Sequence, residues 1–387
     1  MTVSRLNTYE IFGSQNSSND IQSNDFKSDS EVGHGSCREL RSIVVKAGLL
    51  DRQFRYYGFK IISLILMMAA GIAMLVLIGD SWWQIFTAIY IAAVAMQTAL
   101  IGHDAGHRQI FRSTTRNDFV ALLITSPFLG FNLSWWLDQH NKHHGTPNHE
   151  DLDPNINVGF WVFTDKHRKT RSGFYRSMAK YQAILIIPLN MIGGFYKVVE
   201  SARFLKDHQL RYPIAERVAF VLFVAWSFSL PFIFLTPIQA IVFIFVYYAV
   251  LGLYFGAIIS PNHKGMLMVT ENQRLDFLRG QVLTSRNIRS HPITDFFYGG
   301  LNYQIEHHLF PNMPRNRLRD AVSIVRGYCA EHDIPYHETS ILEGFKEILT
   351  EMHRASAPLR AESSPTAGVP IDDAGRNSTS AIRAGFK

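Results

Sequence analysis

Two stretches of this 387-residue chain, residues 61–102 and 218–260, contain no lysine or arginine, and Asp80 is the only charged residue in either. Each is too long for a single bilayer-crossing helix and divides near its middle, at Gly79-Asp80-Ser81 and at Thr236-Pro237. The halves are about twenty residues long, the length a helix needs to cross the hydrocarbon core. The expectation is an all-α integral membrane protein with four transmembrane helices in two hairpins, over about 61–79, 82–102, 218–236 and 238–260.

Charge fixes the expected orientation. All 38 Lys and Arg residues lie outside the spans, and neither hairpin tip carries one. By the positive-inside rule both termini and the central loop are cytoplasmic. The net charge of +6 then needs no nucleic acid to explain it. Two further apolar stretches, Asp118–Trp136 and Tyr181–Val199, contain Pro127 and Pro188. Letting the first of them cross would separate histidine-rich segments on opposite faces and translocate a basic loop. Both stretches are therefore assigned to the interface or to re-entrant segments. Residues 38–58 read as an amphipathic interfacial helix leading into the membrane, and helical patterns recur around Asn316–His332 and Ile341–Arg354. The expected organisation is a disordered tail over 1–37, a membrane domain over 38–354 and a second disordered tail over 355–387. Cys37 and Cys329 are isolated, which excludes a disulfide framework or an iron–sulfur cluster.

Histidine placement is the second constraint. Seven of the 16 histidines fall in three short boxes: His103 and His107 in GHDAGH, His140, His143 and His144 in QHNKHHG, and His307 and His308 in QIEHHLF. On a helix, positions i, i+3 and i+4 share a face, so the middle box points three imidazoles one way. His263, in SPNHKGM, ends the fourth span on the same side. Eight imidazoles exceed the four ligands of a structural zinc. Two metals with about four each leave open positions, an arrangement suited to O2 activation, with iron ahead of manganese, copper or zinc. Asp104, Asp138, Asn141, Asn302 and Glu306 are candidate acceptors for the outer ring N–H groups. The plain alternative is a satisfied polar cluster at the interface. His34, His167, His208, His332, His337 and His353 read as caps or solvated residues. His149 and His291 lie near a box but outside its pattern.

The ordered set HDAGH, HNKHH and QIEHHLFP, separated by two hydrophobic hairpins, resembles the membrane fatty acid desaturase superfamily over roughly residues 55–330. The resemblance implies a cytoplasmic helical cap holding two iron ions, ligated by His103, His107, His140, His143, His144, His263, His307 and His308. It implies O2 as co-substrate and the removal of two hydrogens from an acyl chain carried as a CoA thioester or in a lipid. Gln304 stands where many relatives have a histidine, as in front-end desaturases and a group of bacterial acyl desaturases. Whether it ligates, weakly or through water, stays open. The bacterial group implies a plasma-membrane location. With no HPGG haem motif and no GxGxxG among these residues, the expectation is that electrons come from a separate ferredoxin or cytochrome with its reductase. Arg286, Arg289, Arg315, Arg317 and Arg319 flank the third box and are candidates for docking an acidic carrier. The alternatives are a hydroxylase or other monooxygenase on the same scaffold and, more distantly, a membrane metal-binding or transport protein. The apolar spans argue against the last of these.

Overall fold

The structure is a computed structural model, and it describes residues 36–362. Of the expected tails over 1–37 and 355–387, residues 1–35 and 363–387 lie outside the described residues. The rest is almost wholly helical. In chain order the main elements are α1 (Cys37–Lys46), α2 (Phe54–Ile78), α3 (Gln84–Gly106), α4 (Thr114–Leu129), α5 (Leu133–Gly145) and α6 (Gln182–Asp207). They continue with α7 (Pro213–Phe234), α8 (Pro237–His263), α9 (Phe277–Leu283), α10 (Gln304–Leu309), α11 (Arg315–Glu331) and α12 (Ile341–Ala355). A two-residue parallel pair, β1 (Asn287–Ile288) with β2 (Glu338–Thr339), staples the segment before α10 to the one before α12.

The two hairpins form where the apolar runs predicted them. Helices α2, α3, α7 and α8 are each long and apolar enough to cross a membrane. At the first tip, Gln84 Nε2 donates to the carbonyls of Leu75 and Gly79 (2.9 Å each), groups the end of α2 would otherwise leave unpaired. Asp80, the lone charge of the first run, accepts from the Thr236 amide at 2.8 Å and ties the two tips together. Trp82 and Trp83 stand exposed beside it, as aromatics do at a membrane interface.

The stretch assigned as interfacial or re-entrant near Pro127 is a bent pair. Helix α4 breaks from α5 by 100°, with Gly130 in the left-handed region (φ 70°) at the corner. A π-turn, Ala121–Thr125, precedes Pro127, and a second, Ala225–Ser229, precedes Pro231 in α7. Proline supplies no N–H, so the turns loosen locally and strand carbonyls. Where the helix ends at Leu129, Trp226 Nε1 takes up the Pro127 carbonyl (2.5 Å) and the Tyr247 hydroxyl that of Phe128 (2.9 Å). The bend is therefore held by α7 and α8, and it turns α5 into the histidine site.

Residues Gln182–Asp207 form one continuous 26-residue helix despite Pro188, a fifth element that could cross by length and composition. Its contacts favour the interfacial assignment. Gln182 Nε2 donates to the Met352 carbonyl of α12 (2.8 Å), and Ser201 near the other end bonds Asn132, the N-cap of α5. Both ends thus abut elements of the histidine side. In its middle it presses against α8, where a Cβ on Gly252 would lie 2.1 Å from the Asn190 carbonyl.

Two expectations are revised at the ends of the domain. The amphipathic segment expected over 38–58 stops at Lys46, and its apolar residues Leu40 and Val44 are buried against α11 of the cap. That face is spent on the cap, and only Ile43 and Val45 remain exposed on the helix as large apolar residues. Downstream, order extends past residue 354: a short helix, Ala357–Ala361, buries Leu359, and Arg360 donates to the Lys180 carbonyl at 2.9 Å.

Candidate metal centre

Four segments bring eight imidazoles together. His103 lies in the last turn of α3 and His107 is its C-cap. His140, His143 and His144 come from α5, His263 is the last residue of α8, and His307 and His308 come from α10. All eight sequence candidates therefore meet. They form two groups, each with ligand atoms within 4.8 Å of one another: His103, His107, His140, His144 and His307 in one, His143, His263 and His308 in the other. The sequence suggested about four apiece on a shared face; the structure divides them five and three. Successive residues on a helix point about 100° apart, so each His-His doublet serves both groups. His144 and His307 turn to the first group, His143 and His308 to the second.

Ring nitrogens within the groups are very close. His107 Nε2 lies 2.8 Å from His140 Nε2, and His144 Nε2 lies 3.1 Å from both His140 Nε2 and His307 Nε2. Two nitrogens each about 2.1 Å from a six-coordinate ion and at right angles to each other sit about 3 Å apart, the same spacing.

The second group admits a sharper test. His143 Nδ1 donates to Asp153 Oδ2 (2.9 Å), His263 Nδ1 to the Thr284 carbonyl (3.0 Å) and His308 Nδ1 to Gln281 Oε1 (2.8 Å). Gln281 is itself oriented, because its Nε2 donates to the His144 carbonyl. Each imidazole has spent its proton on Nδ1, so each Nε2 carries a bare lone pair. Yet His143 Nε2 and His263 Nε2 face each other at 3.2 Å, and His308 Nε2 is buried with no protein partner. Facing lone pairs repel; a cation between them resolves the conflict. Burial, with the neighbouring imidazoles adding to it, holds His307 and His308 well below the ordinary histidine pKa, so their rings stay neutral and free to ligate.

Outer acceptors were the part least visible in the sequence. Of the five named, only Asp104 meets a histidine, with Oδ1 3.3 Å from His103 Nδ1. Asp138 pairs with Lys142 at the surface (2.7 Å), Asn141 is exposed, and Asn302 donates to Asp295 (2.8 Å). Glu306 accepts from Asn287 (2.7 Å) and Tyr336 (2.8 Å), which pins α10 to β1. The acceptors that count, Asp153, Gln281 and the Thr284 carbonyl, carried no spacing signal. His149 and His291 join neither group; each Nδ1 accepts a backbone N–H two residues on (3.3 Å).

An apolar cavity of about 110 Å³ borders the site, walled by Met96, Leu100, Leu129 and Trp136 and reaching His103 and His140. A second, of about 230 Å³, lies between α6 and α8 and shares His143, Lys197, Phe255 and His263 with the first. Trp136 stacks on His140 at 4.4 Å between ring centroids. That packing needs Gly106, where a Cβ would lie 1.9 Å from the Trp136 ring. Gly106→Ala is expected to displace Trp136 and lower turnover at least tenfold while the protein still folds. Turnover within twofold of the parent would show that the stack does not matter.

The docking suggestion for the arginines near the third box is partly overturned. Arg286 and Arg315 are buried: Arg286 pairs with Glu347 and Arg315 with Asp104. An arginine already enclosed by its partner cannot dock a carrier. Of the five, Arg289 and Arg319 are exposed.

Fold and site define a class: a helical integral membrane protein with enclosed histidines grouped closely enough to hold metal ions, beside an apolar cavity. A family model for fatty acid desaturases matches residues 80–340. The chain belongs to the fatty acid desaturase family. It is 29% identical over 342 residues to the Delta(6)-fatty-acid desaturase fat-3 of Caenorhabditis elegans, covering 84% of this chain and 76% of that one. It is 27% identical over 349 residues to the acyl-lipid (9-3)-desaturase of Physcomitrium patens, with 84% and 64% covered. A Delta(8)-fatty-acid desaturase of Euglena gracilis is 27% identical over 323 residues, with 81% and 76% covered.

Proposed function

We propose that the chain is an O2-dependent fatty acyl desaturase holding two iron ions. His103, His107, His140, His144 and His307 would ligate one, and His143, His263 and His308 the other. The observation that carries this reading is the convergence of Nε2 lone pairs whose Nδ1 protons are already committed, next to a cavity lined by apolar side chains. Bound iron would supply, with O2 and two electrons, the oxidising power needed to remove hydrogen from an unactivated methylene. The protein's own contribution is placement. Met96, Leu100 and Leu129 form a dry wall for an acyl tail, and Trp136 fixes the His140 ring. Asp153, Gln281 and the Thr284 carbonyl hold three imidazoles in the ligating tautomer. The second cavity, between α6 and α8, is the natural place for the part of the chain nearer its carrier, CoA or lipid. Electrons would come from a separate ferredoxin or cytochrome with its reductase. The uneven distribution of Lys and Arg supports a site and termini facing the cytoplasm, and the resemblance to bacterial acyl desaturases suggests a plasma membrane.

The test is a fatty acid profile by gas chromatography–mass spectrometry of membranes expressing the chain or its His143→Ala variant, with a ferredoxin system and O2 supplied. A new cis alkene that depends on His143 is expected. A hydroxylated product would replace desaturation with oxygenation. No new product from iron-loaded protein, across acyl-CoA and acyl-lipid substrates, would sink the reading.

A further inference from the structure

We propose that Gln304 is a hydrogen-bond donor to the small exogenous ligand at the open position of the His143–His263–His308 metal, and not a fourth protein ligand. The assignment rests on the two-iron reading above. It starts from the Leu301 carbonyl, which can only accept. The Asn262 amide therefore faces it with nitrogen (3.0 Å), and the same Nδ2 also donates to Gln304 Oε1 (2.9 Å). With its oxygen held by Asn262, Gln304 directs its NH2 at His263 Nε2 (2.9 Å). His263 donates its Nδ1–H to the Thr284 carbonyl, so its Nε2 is a lone pair aimed into the second group. Asn262, His263 and Gln304 are all buried.

A primary amide nitrogen has no free lone pair to offer a metal. To ligate through Oε1, Gln304 would have to turn over and set its NH2 against the NH2 of Asn262. If Asn262 turned as well, the Leu301 carbonyl would lose its donor in a buried setting, where an unmade hydrogen bond is costly. The network therefore presents an N–H, not a carbonyl, at the edge of a three-histidine site. The ligand such a donor favours is a small anion or a water, since a hydrogen bond strengthens as its acceptor gains negative charge. Where a fourth imidazole would close the position, Gln304 leaves it open and stabilises what enters.

The experiment uses purified, iron-loaded protein with azide as the probe, comparing the parent with Gln304→Met. Iron per chain is measured by mass spectrometry, and azide binding by its charge-transfer absorption. Both proteins are expected to hold two irons, and azide is expected to bind the variant about tenfold more weakly, because it loses one charge-assisted hydrogen bond. If Gln304 were a ligand, its removal would vacate a position and azide would bind as tightly or more tightly, or one iron would be lost. Either result overturns the assignment. Asn262→Leu, which frees the Gln304 amide to turn, should weaken azide in the same direction. A structure of the parent holoenzyme decides without any variant: Gln304 Oε1 bonded to iron at about 2.1 Å overturns the assignment. Fewer than two irons in the parent would overturn the two-iron reading and this assignment with it; every other outcome leaves that reading in place.

Discussion

Replacing His263 by alanine is expected, on the two-iron reading, to remove one iron and to lower desaturation at least 100-fold. The residue belongs to none of the three boxes and sits at the last position of α8. Its place in the three-histidine group, with Nε2 3.2 Å from that of His143, leaves no spare ligand there. Loss of an outer-shell partner commonly costs 10–100-fold, and loss of one of three direct ligands should exceed that. Iron analysis of the purified variant, beside product formation, checks both halves. Two irons with activity retained would remove His263 from the site and undo the division into five and three.

The second large effect is one of stability. Asp104 and Arg315 are both buried, and Arg315 also donates to the Leu100 carbonyl. The Tyr57 hydroxyl lies 2.9 Å from Asp104 and 2.8 Å from Gln109, whose Nε2 donates to the Pro311 carbonyl at 2.9 Å. This one network joins α2, the first histidine box and the loop after the third. Arg315→Met would leave a carboxylate enclosed without its counter-charge, at a cost of about 3–5 kcal/mol. Thermal unfolding in detergent should show a midpoint lowered by on the order of 10 °C. Asp104→Asn in the same chain should recover part of it, because the uncompensated charge is then gone. A shift below about 2 °C for Arg315→Met would mean that water reaches the pair and that the network does not hold the cap.

The grouped histidines were legible in the sequence because their constraint is local. A histidine is an expensive residue to bury, so HDAGH, HNKHH and EHH stand out against apolar surroundings whatever the tertiary context. The hairpins were legible for a related reason: a bilayer disfavours charge, so the lack of any Lys or Arg over 61–102 and 218–260 is itself the signal. Asp153 was not legible. It is one of several acids in HEDLDP, and only the turn that brings the Asn148 and Asn155 amides onto its carboxylate distinguishes it from Asp151. The amphipathic segment after residue 37 misled because a helix meant for a protein cap and one meant for an interface carry the same pattern.

By itself, then, the sequence determined the helical hairpins, that the histidines gather together and the identity of all eight grouped imidazoles, since each follows from what a bilayer or a buried ring will not tolerate. The tertiary structure alone decided how those imidazoles divide between two centres, which groups hold their outer nitrogens and which arginines are enclosed. These depend on the direction of individual side chains and on contacts between residues far apart in the chain, such as His308 with Gln281 and Arg315 with Asp104. Spacing along one helix fixes a face, but only packing fixes what that face meets.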